Sequence, residues 1–163
     1  MTTLTHEHLL SVLRFKPDTG KFYWKVKVRS NIRPGDEAGA SGQHGYSRIM
    51  IGGRDYYVHR LAWFYMTGHW PDQVDHINLD RRDNRWCNLR EATRDQNNVN
   101  KGARRSSTTG LKGVLPRRSK GCFEARIKIN GKFKYLGSFK TPEEANAAYA
   151  EAAREIHGEF ARW

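Results

Sequence analysis

The sequence predicts an α+β protein made of small antiparallel sheets and short helices. Two segments, residues 21–28 and 122–129, alternate apolar and polar side chains, which is typical of a strand with one buried face. Residues 145–156 instead repeat apolar side chains every three or four positions, which is typical of a helix. A chain of 163 residues has room for one or two small domains.

The first segment, residues 5–58, is expected to form a small supporting sheet. A short apolar helix candidate, residues 9–13, precedes a turn at residues 17–20, where Pro, Asp, Thr and Gly follow one another. The alternating residues 21–28 then predict a half-buried strand. Its apolar face consists of Phe22, Trp24, Val26 and Val28.

A hairpin is expected to complete this sheet. Residues 46–51 and 55–58 have strand composition and flank Gly52 and Gly53, which together are a hairpin signal. The Gly- and Ser-rich residues 35–45 that precede the hairpin are predicted to be a loop.

The second segment, residues 59–100, has the order helix, strand, loop, strand, helix. The first helix is predicted over residues 59–66 and ends before a glycine. Short strands are predicted at residues 74–77 and 86–92, on either side of a polar loop. Residues 93–96 form a capping box, so the last helix is expected to start there.

The third segment, residues 111–163, predicts a three-stranded antiparallel sheet packed on one helix. The alternating strand at residues 122–129 is followed by Asn130-Gly131, the strongest two-residue hairpin signal. A partner strand is then predicted at residues 132–139. A capping box with proline at its second position, residues 141–144, starts the helix that covers the sheet.

The charge of the chain favours nucleic acid as its partner. Lys and Arg number 29 against 17 Asp and Glu, and residues 101–163 carry 14 of the basic but only 6 of the acidic side chains. No acid occurs between Asp95 and Glu124, a stretch with seven Lys and Arg. A nucleic-acid backbone relieves such repulsion, and a solvated basic linker is the alternative. Residues 101–110 have linker composition, and they separate a domain over residues 1–100 from one over residues 111–163.

Several kinds of protein are excluded by composition. No run approaches the roughly 20 apolar residues that cross a bilayer. The N-terminus lacks the basic and then apolar pattern of a signal peptide, so a cytoplasmic protein without membrane or small-molecule cofactor is expected. The two cysteines, Cys87 and Cys122, are too few for a disulfide framework or a four-cysteine zinc site.

Asp75 and His76 are the first candidates for chemistry. Neighbouring side chains of a strand point to opposite sides, so one can hold a metal ion while the other activates water. Asn88 follows His76 by 12 positions, and Asn97 follows it by 21, in the first turn of the predicted last helix. Taken singly, each asparagine is better explained by turn formation or helix capping. Together with Asp75 and His76, they favour a catalytic strand–strand–helix finger.

Five short motifs accompany these residues. They are His59-Arg60-Leu61-Ala62-Trp63, Val74-Asp75-His76-Ile77-Asn78, Asp83-Asn84-Arg85, Asn88-Leu89-Arg90-Glu91-Ala92-Thr93 and Asn97-Asn98-Val99-Asn100. In this order they resemble an HNH endonuclease of the phage homing type, over about residues 15–100. The resemblance implies a ββα-metal finger that carries one divalent ion, Mg²⁺ or Mn²⁺. It makes Asp75 and Asn97 the metal ligands, His76 the general base for a water and Asn88 the residue that fixes the imidazole.

The metal ligands leave one choice open. Asn98 and Asn100 are close rivals of Asn97 for the second position. A carboxylate and an amide offer only oxygen, which suits Mg²⁺ or Mn²⁺ better than zinc. The structural zinc that staples some members of the family is not expected, because its cysteines are missing from this chain.

A second set of motifs covers residues 110–160. They are Lys112-Gly113-Val114, Phe123-Glu124-Ala125-Arg126-Ile127-Lys128, Tyr135-Leu136-Gly137-Ser138-Phe139 and Glu143-Glu144-Ala145-Asn146-Ala147-Ala148-Tyr149. They resemble the APETALA2/ethylene-response-factor (AP2/ERF) type of DNA-binding domain, which lays a three-stranded sheet in the major groove. The candidate DNA-binding residues of the chain are Arg60, Arg104, Arg105, Arg117, Arg118, Arg126, Lys128, Lys132, Lys134, Phe133 and Tyr135. Packing explains Phe133 and Tyr135 equally well.

The interpretation that the sequence favours is a metal-dependent, site-recognising DNA endonuclease of the homing type, which nicks duplex DNA. The alternatives are a non-catalytic DNA-binding regulator with a degenerate finger and an RNA-directed or architectural basic protein. The four intact site residues argue against a degenerate finger, and a sheet suited to a major groove argues against RNA. Double-stranded DNA is the expected partner of a monomer or weak dimer, and the resemblance implies a phage-infected bacterial host.

Overall fold

The chain is described by a computed structural model at residues 4–104, 106–117, 121–129 and 131–163. These residues fall into two compact units that divide between Arg94 and Asp95, here called the N-terminal and the C-terminal unit. Asn130 of the second hairpin signal lies outside the described residues, as do Arg105 and Arg118. Within the described part of the chain, no helix is long and apolar enough to cross a membrane.

The N-terminal unit consists of three small antiparallel sheets and two helices. Its elements are α1 (His6–Val12), β1 (Leu13–Lys16), β2 (Lys21–Trp24), β3 (Glu37–Ala38), β4 (Ala40–Ser41), β5 (Ser47–Ile51), β6 (Arg54–Tyr57), α2 (Val58–Thr67), β7 (Gln73–His76) and β8 (Leu89–Ala92). The sheets have the strand orders β1-β2-β3, β4-β5-β6 and β7-β8. Their shared core is formed by large side chains with almost no exposure, among them Leu9, Leu13, Phe22, Ile49 and Leu61.

Local signals located most of these elements correctly. The predicted helix at residues 59–66 is confirmed as α2, and Gly68 ends it in the left-handed region at φ 78°. The hairpin at Gly52 and Gly53 is confirmed as well, because both glycines have positive φ and connect β5 to β6.

The first predicted strand is too long. The strand β2 ends at Trp24, whose partner Leu13 is the first residue of β1, so no neighbouring strand continues the ladder beyond it. Val26 and Val28 were expected on the buried face, but they are 38% and 40% exposed. The predicted loop at residues 35–45 also contains two short strands, β3 and β4.

The C-terminal unit contains one antiparallel sheet and a long helix. Its elements are α3 (Arg94–Asn100), β9 (Val114–Arg117), β10 (Cys122–Ile129), β11 (Lys132–Phe139) and α4 (Pro142–His157), with α3 starting at the last residue before the division. The strand order is β11-β10-β9. The predicted capping box of α4 is confirmed: the Thr141 hydroxyl accepts from the Glu144 amide, and the Glu144 side chain accepts from the Thr141 amide.

Helix α4 covers one face of this sheet. Ala125 and Ile127 of β10 are fully buried, and Ile127 belongs to one buried cluster with Tyr149 of α4. Gly113 just before β9 has φ 73°, and a Cβ there would lie 2.2 Å from the Tyr149 ring. Only glycine therefore fits at this position, because the backbone conformation and the ring both exclude a side chain.

Candidate active site

Asp75 and His76 lie at the end of β7, which pairs with β8. The register sets Asp75 opposite Arg90 and His76 opposite Leu89. Asp75 is 3% exposed, and Arg90 donates to its Oδ2 atom from Nε at 2.9 Å and from Nη2 at 2.8 Å. A buried carboxylate is costly unless it is paired and hydrogen-bonded. Arg90 therefore compensates the charge of Asp75 and holds the carboxylate in a fixed orientation.

The imidazole of His76 is buried and held by Asn84. Its Nε2 atom lies 3.2 Å from Asn84 Oδ1. The Asn84 amide nitrogen donates to the Arg82 carbonyl, which directs Oδ1 towards the ring. Because Oδ1 can only accept, Nε2 carries the proton of the neutral ring and Nδ1 carries the basic lone pair.

Burial also sets the charge of this histidine. It lowers the pKa of His76 below the ordinary value of 6.5, although the bond with Asn84 and the neighbouring carboxylates, Asp75 first among them, act in the opposite direction. The ring is therefore neutral at pH 7, which is the state that can accept a proton.

Asn88 makes different contacts from those implied by the resemblance. Its Oδ1 accepts from the Asn78 amide at 3.0 Å, and its Nδ2 donates to Asn78 Oδ1 at 2.9 Å and to the Asp83 carbonyl at 2.8 Å. Among the hydrogen bonds of Asn88 in the described structure, none goes to His76. Asn88 closes the loop between β7 and β8, and the imidazole is held by Asn84, which the sequence marked only as part of a motif.

The turn at residues 17–20 packs against this loop. Gly20 has φ 69°, and a Cβ there would lie 2.3 Å from the Asn84 carbonyl carbon. The Trp86 amide donates to the Pro17 carbonyl at 2.9 Å. The backbone from Asn84 to Trp86 therefore packs closely against the N-terminal turn, which explains why glycine is required at position 20.

A second histidine lies against His76, and sequence reasoning missed it as a site residue. His59 in the first turn of α2 is 8% exposed, and its ring packs edge-to-face on His76 with 5.1 Å between centroids. Tyr46 and Tyr57 lie 5.0 Å and 5.5 Å from the His59 ring. Burial lowers the pKa of His59 to about 3. The contact with His76 spans 17 positions, and no spacing rule indicates it.

Arg60 contacts protein backbone, and Asn97 lies in the first turn of the helix that the sequence predicted for it. Arg60 donates to the carbonyls of Asp72 at 2.9 Å and Pro71 at 2.8 Å, so it ties α2 to the segment before β7. Asn97 lies on α3 in the C-terminal unit, and its pairing with Asp75 at one ion stays a prediction. Of its rivals, Asn98 is exposed and Asn100 is buried.

The face of the C-terminal sheet opposite to α4 carries basic and aromatic side chains. In the ladder between β10 and β11, Arg126 pairs with Tyr135 and Lys128 with Phe133. The Arg126 guanidinium lies 4.4 Å from the centroid of the Phe133 ring. Phe133 and Tyr135 are 63% and 55% exposed, so neither is a core residue. We call Arg126, Lys128, Phe133 and Tyr135 the basic–aromatic face.

The remaining predicted DNA contacts are dispersed. Lys132 and Lys134 pair with Ile129 and Ile127, so strand alternation places them on the other side of β11. Arg117 lies 3.6 Å from Glu124, whose charge offsets its own. Arg104 is exposed, and Arg105 and Arg118 lie outside the described residues.

The segment in which the sequence predicted an HNH finger is similar to known proteins. Residues 56–99 match the family model of HNH endonucleases. This segment is therefore similar to the domain of HNH endonucleases. It includes α2, β7, the loop with Asn84, and β8.

One relative extends the likeness beyond the domain. An uncharacterized HNH endonuclease of Acanthamoeba polyphaga mimivirus is 36% identical over 107 residues, which are 64% of this chain and 54% of the relative. The chain therefore spans about half the length of that relative. The matched family and this relative are both described as HNH endonucleases.

Proposed function

We propose that this protein is a metal-dependent, site-recognising DNA endonuclease of the homing type that nicks duplex DNA. One observation carries the proposal. A histidine that is neutral at pH 7 lies at a strand end beside a buried carboxylate, within a segment that matches HNH endonucleases. That pair supplies a proton acceptor and an oxygen ligand at adjacent positions.

The proposed task of His76 is to accept the proton of the attacking water at Nδ1. Nε2 keeps its own proton because Asn84 Oδ1 accepts it at 3.2 Å. Positioning of this kind contributes strongly to general base catalysis, since the ring must be neutral and correctly turned before the water arrives. Asn88 acts on the same ring indirectly, by closing the loop that carries Asn84.

The proposed metal ligand is Asp75, whose carboxylate oxygen is of the kind that hard divalent cations prefer. Mg²⁺ is usually held by one or two carboxylates together with substrate phosphates rather than by a full protein cage. The described residues include no cluster of three or more His, Cys, Asp and Glu that could hold a metal ion. When bound, such an ion offsets the charge that develops on the leaving oxygen. Asn97 as the second ligand is proposed from the resemblance alone.

The proposed task of the C-terminal unit is to bind DNA in the manner of an AP2/ERF domain. The family match ends at residue 99, so this assignment rests on the resemblance and on the basic–aromatic face. The Phe133 ring is exposed and lies under the Arg126 guanidinium, so it does not help to form the hydrophobic core of the C-terminal unit. A two-stranded ribbon with such side chains has the width of the major groove.

A plasmid assay tests the proposal. Supercoiled DNA is incubated with the full chain in Mg²⁺, in Mn²⁺ and in EDTA. We expect nicked circles with either metal and intact supercoils in EDTA, because one active site cuts one strand. Linear product formed in a single binding event at low protein concentration would contradict nicking by a single site. Tight binding without cleavage of varied DNA would favour a regulator with a degenerate finger.

A further inference from the structure

Two arginines outside the HNH motifs lie on tyrosines beside the active-site histidines. Arg48 of β5 has its guanidinium carbon 4.7 Å from the centroid of the Tyr57 ring and donates to the Tyr57 hydroxyl at 2.9 Å. Arg81 of the loop between β7 and β8 lies 4.9 Å from the centroid of the Tyr46 ring and donates to the His44 carbonyl at 2.9 Å.

The two tyrosines connect these arginines to the site. Tyr46 lies 6.1 Å from the His76 ring, and both tyrosines lie within 5.5 Å of the His59 ring. The two tyrosine rings also contact each other edge-to-face at 5.5 Å. We call the group of Tyr46, Tyr57, His59 and His76 the ring cluster. It has one guanidinium on each tyrosine.

The charges of these two arginines are not compensated. Among the described residues, neither Arg48 nor Arg81 has an acidic partner, and each makes a single hydrogen bond to protein. Their neighbours differ, since Arg90 is paired with Asp75 at 2.8 Å and Arg85 with Asp83 at 2.6 Å. Two arginines without an acidic partner therefore lie beside a proton acceptor, where they can bind an anion from outside the described chain.

Two buried nitrogen atoms at the ring cluster also lack partners. Arg48 Nε and His59 Nδ1 are both buried without a hydrogen bond in the described structure. Buried polar groups are nearly always satisfied, so an unsatisfied pair at one place indicates that a further polar group belongs there. Both atoms belong to residues that contact the Tyr57 ring.

From these observations we infer that Arg48 and Arg81 bind backbone phosphates of the DNA strand that is cut, one on each side of the phosphate attacked at His76. Guanidinium matches the geometry of a phosphate group with two parallel hydrogen bonds, and stacking on an aromatic ring orders the side chain in advance. The inference rests on the proposed nuclease function. It adds a strand-holding site on the HNH side that is separate from the basic–aromatic face.

A binding experiment tests this site. The full chain and its Arg48→Ala, Arg81→Ala and double variants are titrated with a fluorescent duplex in EDTA at several salt concentrations. Each lost phosphate contact is expected to reduce the slope of log K against log salt by about 0.9. Arg14→Ala is the matched control, because Arg14 also lies over a tyrosine, at 5.7 Å from the Tyr23 ring, but on β1. It is expected to keep the wild-type slope.

The same variants are then compared in single-turnover nicking with Mg²⁺. The double variant is expected to lose at least about tenfold in rate, because a misplaced phosphate reacts slowly. If its slope and rate equal those of Arg14→Ala, the inference is overturned. If the slopes fall as expected but no protein cuts, the nuclease proposal fails and the phosphate contacts stand.

Folding defects are separated from lost contacts by two choices. Arg81 is exposed, so Arg81→Ala decides the question by itself if variants at the half-buried Arg48 unfold. Arg48→Gln retains a donor for Tyr57 and removes the charge, so a reduced slope in that variant reflects the charge. An unchanged slope in Arg81→Ala and Arg48→Gln, with normal thermal unfolding, contradicts the inference.

Discussion

The two units use polar side chains in opposite ways. The N-terminal unit holds five of the six buried polar side chains found among the described residues: His59, Asp75, His76, Asn84 and Asn88. The C-terminal unit instead exposes its arginine, lysine and aromatic side chains on the outer face of a sheet. Burial controls protonation and orientation, which chemistry needs, whereas exposure allows a large polyanion to make contact.

This difference predicts that the two units fail differently when they are changed. A change at the buried site residues of the N-terminal unit is expected to affect the rate of cleavage, and a change on the basic–aromatic face is expected to affect affinity and its dependence on salt. Variants of both units test that separation, and the largest effect is expected at His76.

His76→Ala is expected to abolish measurable cleavage while it leaves DNA affinity nearly unchanged. Loss of a general base reduces the rate by about 10²–10⁴-fold. The measurement is single-turnover nicking together with fluorescence titration of a duplex in EDTA. His69→Ala is the control, because His69 is an exposed histidine of the same unit that lies 3.3 Å from Glu91. A large loss of affinity in His76→Ala would contradict the separation between the units.

Asn84→Ala and Asn88→Ala are expected to separate orientation of the imidazole from stability of the loop. Asn84→Ala removes the acceptor of the His76 Nε2 proton, and we expect a rate loss of about 10–100-fold. Its loss of stability is expected to be smaller than that of Asn88→Ala, because two hydrogen bonds are lost instead of three. Asn88→Ala removes three hydrogen bonds of the loop, at a cost of about 1–3 kcal/mol in the free energy of unfolding.

Thermal unfolding and nicking rates of the two variants check this assignment. If Asn88→Ala loses rate without losing stability, and Asn84→Ala loses neither, then Asn88 orients the imidazole as the HNH resemblance implied. Asn84→Asp sharpens the test, since a carboxylate keeps an acceptor beside Nε2 and should retain more activity than alanine.

Sequence reasoning predicted those parts of the fold that local chemistry determines. Gly52 and Gly53 fix a hairpin because both need positive φ, and Thr141 with Glu144 fixes the start of α4 because each caps the other. The end of β2 at Trp24 was not predictable in this way. It depends on where the partner strand begins, and alternation within one segment carries no information about its neighbour.

The residues of the candidate site show the same difference between features set by local sequence and features set by distant contacts. Asp75 and His76 were found because they are adjacent in a short strand with a recognisable sequence context. Asn88 was assigned to the imidazole instead of Asn84, because the sequence does not show the path of the chain between β7 and β8, which decides which amide reaches the ring. His59 was missed because its contact with His76 joins a helix to a strand.

The double variant Arg126→Ala with Lys128→Ala is expected to weaken DNA binding without changing the single-turnover rate at saturating protein. Loss of two phosphate contacts reduces the slope of log K against log salt by up to about 1.8. Arg154→Ala is the matched control, because Arg154 is an exposed arginine of α4 whose guanidinium lies 4.6 Å from the Trp163 ring. A rate loss at saturation, or an unchanged slope, would contradict a purely binding function for the basic–aromatic face.

The smallest expected effect is the contribution of His59, a member of the ring cluster, to the stability of the protein at acid pH. His59 has a pKa of about 3 in the folded protein, against the ordinary histidine value of 6.5 in an unfolded chain. The unfolded chain therefore takes up a proton that the folded chain refuses, so the free energy of unfolding falls as pH drops below about 6.5. The slope approaches about 1.4 kcal/mol per pH unit for this one group. Burial of His76 acts in the same direction.

His59→Phe isolates this contribution, because phenylalanine keeps an aromatic ring against His76 and cannot take up a proton. We expect its melting temperature to fall less than that of the wild type between pH 6.5 and about 4.5, a range above the ordinary titration of carboxylates. Equal slopes would mean that His59 is protonated at little cost in the folded state. The buried site around His59 would then tolerate charge, and the contrast between buried, charge-controlled site residues and an exposed C-terminal face would lose its physical basis.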